Sequence, residues 1–352
     1  MSSAPARPGP LVVDVAGTEL SAADVELLAH PAVGAAILFT RNYADPAQLA
    51  ALTAAMRAAR PNLLITADQE GGRVQRFRDG FTRVPPMRAL GRLAVTDREA
   101  ARRAAGEIAW LMAAELAAVG VDVPFAPVLD LDHGASTVIG DRAFAADAAT
   151  VAALADAFAG GLVEAGSAAT AKHFPGHGFV AADSHAELPV DRREARDVRA
   201  DMAPYAGLIE SGLASVMMAH VRYPALDAEP ASLSHYWIDT VLRGELGFSG
   251  CVFCDDLSMG GAAVVGDHRE RARRAQAAGC DFLPVCNDRA AVDGLLEAVA
   301  LDGPGVARRE RLIADCGRET PAPDLKALRA DPRWRRAHAE LERLRDDEYT
   351  RA

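Results

Sequence analysis

At 352 residues, half of them hydrophobic and a quarter charged, the chain has ample apolar material for a large core and is too hydrophobic to remain disordered. Its formal charge of -11 excludes a surface built mainly to neutralise nucleic-acid phosphates or anionic lipid, since both need clustered Lys and Arg. The five cysteines are an odd number at low density, so no disulfide framework is expected.

The opening MSSAPARPGP carries one arginine and no apolar signal run, and nowhere do about 18 uncharged apolar residues follow one another. A cytoplasmic chain with no membrane and no nucleic-acid partner is the expectation. From there, eight short apolar runs recur, most followed by polar or glycine punctuation and then a helical pattern. They are LVVDVA from Leu11, AAILFT from Ala35, LLITAD from Leu63, VDVPFAPVLD from Val121, ATAKHF from Ala169, SVMMAH from Ser215, CVFCDD from Cys251 and FLPVC from Phe282. Stretches such as DPAQLAALTAAMRAA and ATVAALADAFAGGLVEAG place Ala and Leu at helical spacing between them. Eight β-α units close a parallel barrel. The predicted fold class is therefore α/β, a (β/α)8 TIM-type barrel over residues 1–300, with 301–352 as a helical C-terminal extension packed on it. Cys251 and Cys254 form a CxxC inside an apolar run with no second pair, which predicts core thiols and no zinc site.

In such a barrel the reactive groups gather at the carboxyl ends of the strands. Polar residues fall there repeatedly: Arg41 and Asn42, Asp68, Asp130, Lys172 and His173, His220, Asp255 and Asp256, and Asn287. Any one could cap a helix or bond a neighbouring backbone group. A whole set is harder to explain that way. Retaining glycoside hydrolysis needs an ionised carboxylate at the anomeric carbon and a group that first donates and then accepts a proton. Asp255 and Asp256 suit the first task, and since adjacent strand residues face opposite sides only one can face the mouth. Periodicity does not say which. His185, two residues after Asp183 in DSH, suits the second, because imidazole carries a proton near neutrality and a carboxylate can orient it. Asp68 with Arg73 and Arg76, and Arg142 further on, offer charge-assisted bonds to sugar hydroxyls. Gly71 and Gly72 are expected to let the backbone turn beneath a ligand, and Gly176 and Gly178 to act as hinges for the loop from Phe174 to Pro189.

Four motifs complete the picture: ADQEGGRVQRF from Ala67, KHFPGHG from Lys172, ADSH from Ala182 and CDDLSMGGA from Cys254. Together they resemble the bacterial β-N-acetylhexosaminidases of glycoside hydrolase family 3, from about Leu11 to about Asn287. That resemblance implies Asp255 as nucleophile with Asp256 a supporting neighbour. It implies His185 as acid/base on a mobile loop, paired with Asp183, and Asp68, Arg76, Arg142, Lys172 and His173 as sugar ligands. By the same analogy the substrate is a muropeptide or amino sugar such as N-acetylglucosamine linked to 1,6-anhydro-N-acetylmuramic acid, in cell-wall recycling. No metal or cofactor is implied, and a monomer is expected. Competing expectations are a phosphorylase on the same site, a metal-dependent barrel hydrolase using His173, His177, His185, His220 and Asp255, and a barrel that binds amino sugars without cleaving them.

Overall fold

The computed structural model describes residues 7–181, 188–263, 265–316 and 322–351. Each of the eight apolar runs contains a parallel strand: β1 (Leu11–Val13), β2 (Val33–Leu38), β3 (Leu64–Ala67), β4 (Val123–Pro124), β5 (Thr170–Phe174), β6 (Ser215–Met218), β7 (Cys251–Phe253) and β8 (Leu283–Pro284). They form an α/β fold with two parallel sheets, in the orders β8-β1-β2-β3-β4 and β7-β6-β5. Single parallel bridges, Val128 to Lys172 and Phe253 to Phe282, link the edges of one sheet to those of the other. Continuous ladders fail at these seams where proline removes a donor: Pro124 and Pro127 on one side, Pro284 on the other.

The runs read as unbroken apolar stretches because both strand faces are buried. Val12, Ala35, Ile37, Leu64, Val123, Met217, Cys251 and Phe253 form one cluster with Phe125 and Phe282. Their strand neighbours Leu11, Val13, Ala36, Leu38, Ile65, Val252 and Cys254 turn to the other face and pack with the helices. All five cysteines are buried thiols, Cys251 and Cys254 on opposite faces of their strand, as core thiols should be.

Outside the sheets, the helices Arg98–Ala117 and Ala148–Glu164 cross where Gly161 meets Gly106; a β-carbon at Gly161 would stand 2.1 Å from the Gly106 carbonyl oxygen. The last helix, Pro332–Arg351, lies against Arg98–Ala117. Trp334 Nε1 donates to Glu115 Oε1 at 3.0 Å, and Arg333 bonds Glu107 at 3.0 Å and Glu164 at 2.6 Å. Buried Arg309 reaches from the helix Gly305–Asp315 to the carbonyls of Pro8 and Asp281. Among the described residues no helix is long and apolar enough to cross a membrane.

Candidate active site

A cleft of about 490 Å³ opens at the carboxyl ends of β3 to β7, lined by Asp68, Glu70, Arg73, Val74, Arg76, Thr137, Val138, Ile139, Arg142, Lys172, His173, His177, Met217 and Asp255. Its first wall is built by the chain leaving β3. Residues Gln69–Gly71 and Val74–Gln75 make a short antiparallel hairpin, so side chains alternate and Asp68 and Glu70 both reach the cleft. Gln69, between them, turns away, and its Oε1 accepts the amides of Arg76 at 2.9 Å and Phe77 at 3.2 Å. Gly71 and Gly72 do adopt positive φ, 106° and 54°. What lies close to them is the segment Val84–Pro86: added β-carbons would stand 2.5 Å from the Pro85 oxygen and 2.9 Å from Pro86 Cβ. These glycines make a chain-on-chain contact next to the cleft residues Glu70 and Arg73.

Lys172, 2% exposed, joins the two acids: its Nζ is 3.0 Å from Asp68 Oδ1 and 2.6 Å from Glu70 Oε1. Arg76 Nη2 donates to the other Asp68 oxygen at 2.8 Å. Arg142 grips Glu70 with two parallel bonds, Nε to Oε2 at 2.7 Å and Nη2 to Oε1 at 2.8 Å, the planar fork that fixes both partners. Arg73 fastens the facing loop by donating to the Thr137 carbonyl at 3.0 Å. Glu70 is the member that strand-end reasoning passes over; its alternation with Asp68 is the signal that could have found it.

Burial alone would raise the Asp68 carboxyl, but Lys172 and Arg76 outweigh it and hold Asp68 well below the usual carboxylate range. At Glu70, burial is again opposed, here by Arg142 and Lys172, and the value falls to about 2. Because the folded value lies below the ordinary 4.5, this pairing stabilises the fold fully above that pH and is lost as pH falls towards about 2. Urea unfolding should therefore show stability dropping below about pH 4.5, with a shallower slope in Glu70→Gln. An unchanged slope in that variant would show that the pairing contributes nothing.

Behind the opposite wall, Asp130 is fully buried and accepts His173 Nδ1–H at 2.7 Å and the His177 amide at 2.7 Å. Burial would raise its carboxyl, yet His173 and His177 bring it down to about 2. His177 itself is lowered by burial, against the pull of Asp130. Gly176 and Gly178 are tightly surrounded: a β-carbon on Gly178 would sit 1.7 Å from the Leu131 oxygen and one on Gly176 2.9 Å from Asp201 Cβ, while Tyr223 donates to the Gly176 carbonyl at 2.6 Å. Gly176 and Gly178 are places of close packing.

The adjacent aspartates separate cleanly. Asp255 lines the cleft, and its Oδ1 accepts the Asp256 amide at 2.9 Å. Asp256 instead spends Oδ1 on the amides of Ser258 at 2.9 Å and Cys286 at 3.1 Å, and burial raises its carboxyl. His220 is buried between Ser232 Oγ at 2.5 Å and the Asp256 carbonyl at 2.9 Å, a brace and not part of the cleft lining. Arg41 and Asn287 pair with each other at 2.7 Å and with Asp14, also outside the cleft lining. Asn42 is buried, bonding the carbonyls of Val15 and Gly17 at 2.9 Å each. Thus Asp68, Arg76, Arg142, Lys172, His173 and Asp255 come together in one cleft, while Asp183 and His185 lie outside the described residues. Among the described residues, no three His, Cys, Asp or Glu converge as metal ligands.

Comparison with known proteins gives a consistent result. Residues 11–309 match the Glycosyl hydrolase family 3 N terminal domain. The β-hexosaminidase of Thiobacillus denitrificans is 53% identical over 331 residues, 94% of this chain and 92% of that one. That of Methylococcus capsulatus is 52% identical over 325 residues, 92% and 96% of the two chains. The crystal structure of NagZ from Neisseria gonorrhoeae in complex with N-trifluoroacetyl-D-glucosamine is similar with a TM-score of 0.90 at 41% identity, covering 97% of this chain and 99% of that one.

Proposed function

The chain belongs to glycosyl hydrolase family 3 and is a glycoside hydrolase, and from that premise we propose that it is a retaining β-N-acetylhexosaminidase whose nucleophile is Asp255. The observation that carries the reading is the position of Asp255 in the same cleft as Asp68, Arg76, Arg142, Lys172 and His173. Three cations and two acids there offer charge-assisted donors and acceptors to a ring of hydroxyls, and the likeness to a NagZ bound to an N-acylglucosamine supports an amino sugar as the occupant.

In the proposed reaction an oxygen of Asp255 attacks the anomeric carbon while the His185 imidazolium gives its proton to the departing oxygen. Water then attacks the sugar ester, His185 takes the proton, and Asp255 leaves as carboxylate. A histidine that has given up its proton is neutral, so it does not repel an anionic second nucleophile. Phosphate in place of water would make the same site a phosphorylase. Asp183 would orient the imidazole. The sugar ligands are Asp68, Arg76, Arg142, Lys172 and His173, and the substrate is an N-acetylglucosaminyl-1,6-anhydro-N-acetylmuramic acid, with or without peptide, in cytoplasmic cell-wall recycling by a monomer. We also read the two sheets as one closed eight-stranded barrel within residues 1–300, supported by the bridges at both seams, with 301–352 a packing tail.

The deciding experiment is trapping with a fluorinated slow substrate and mapping the labelled peptide. A covalent sugar on Asp255 is expected; a label elsewhere, or none with an active enzyme, defeats the reading. Product analysis in phosphate separates the two outcomes of the second step, since only phosphorolysis yields a sugar 1-phosphate. His185→Ala should cost about 10²–10⁴-fold on substrates with poor leaving groups and under about tenfold on activated aryl glycosides. Equal losses on both would contradict an acid role.

A further inference from the structure

We propose that Asp130 is a positioning residue that holds the His173 imidazole with a proton on Nδ1, so that the Nε2 edge is turned to a sugar hydroxyl in the cleft. The carboxylate is 0% exposed and both of its oxygens are engaged. Oδ2 accepts from His173 Nδ1 at 2.7 Å, and Oδ1 accepts the His177 amide at 2.7 Å and the His173 amide at 3.3 Å. One buried group thus fixes the backbone of the His173–His177 turn and the ring that the turn carries.

An ionised carboxylate only accepts, so the nitrogen facing it must carry the hydrogen. In a neutral imidazole the other nitrogen is then a lone pair. The cleft has a use for that acceptor. Arg76, Arg142 and Lys172 can only donate, and the oxygens of Asp68 and Glu70 already accept from them, which leaves the acids reduced acceptor capacity for a ligand. A hydroxyl held by those cations has its own hydrogen to place, and the His173 edge, 10% exposed in the cleft lining, can receive it. With the ring unheld, either nitrogen could carry the hydrogen, and an Nε2–H would set a donor against further donors.

This inference rests on the glycosidase reading, and two measurements keep their failures apart. Long-range proton–nitrogen correlation spectra of histidine-labelled protein, assigned with His173→Gln, should show the neutral His173 ring with its proton on Nδ1; no substrate is needed. An Nε2–H tautomer would overturn the proposal. Kinetically, Asp130→Asn should lower kcat/KM for an aryl N-acetyl-β-D-glucosaminide by about tenfold or more, but by less than about threefold in a His173→Ala background. If the loss carries over in full, Asp130 acts only as a backbone brace and the proposal fails. If the unmodified protein turns over no such glycoside, the glycosidase reading fails, and the tautomer spectrum still decides the role of Asp130.

Discussion

Asp255→Ala is expected to lower kcat for an aryl N-acetyl-β-D-glucosaminide by about 10⁴-fold or more while leaving the dissociation constant of N-acetylglucosamine within about fivefold. The split follows from what the cleft gives each side chain to do. Sugar hydroxyls are met by groups fixed to one another: Arg76 to Asp68, Arg142 to Glu70, and Lys172 to both acids. Asp255 accepts the neighbouring Asp256 amide and is not a partner in any of these ion pairs. Asp256→Asn is the contrast. Its carboxylate serves the amides of Ser258 and Cys286, and asparagine keeps an acceptor there, so turnover should stay within about tenfold of the parent. Calorimetry for binding and initial rates for turnover check both variants. If Asp256→Asn were the inactive one, the assignment of nucleophile would be reversed.

Much of this site is legible in the sequence, and the parts that are not have physical reasons. The eight strands can be read directly because burial on both faces leaves them as unbroken apolar runs. Asp68 and Lys172 stand out as charges at the ends of such runs. Glu70 does not, because it lies past the strand, and only the hairpin geometry carries the alternation of β3 onward to it. Asp130 is visible as a strand-end acid, yet its partners His173 and His177 are 43 and 47 positions away, a distance that no local pattern spans. The packing around the glycines is hidden for a related reason. Conformational freedom is a property of the residue, but at Gly178 it is the Leu131 carbonyl, brought in by the fold, that forbids a side chain. Choosing between Asp255 and Asp256 likewise turns on where the Ser258 and Cys286 amides lie.

Lys172→Met should destabilise the protein by about 3–5 kcal/mol at pH 7 and lower kcat/KM by about 10²-fold or more. Methionine nearly matches the length of the side chain, so the packing loss is small and the missing charge dominates. Asp68 and Glu70 would each keep one arginine, but the cation between them, buried and within 3.0 Å of both, would be gone. The two carboxylates then repel in a site that water reaches poorly, and their protonation becomes easier. The sign with pH follows. In the parent both groups are depressed, so acid removes stability; in the variant they are depressed less, so acid removes less. The gap between parent and variant should therefore shrink from pH 7 to pH 4 in parallel urea titrations. A gap that stays constant would mean that lost packing, and not uncompensated charge, is what the substitution costs. Catalysis should fail for a separate reason: Lys172 gives two of its three hydrogens to Asp68 and Glu70 and has the third for a ligand, so its loss takes away both a sugar contact and the spacing of the acids that flank it.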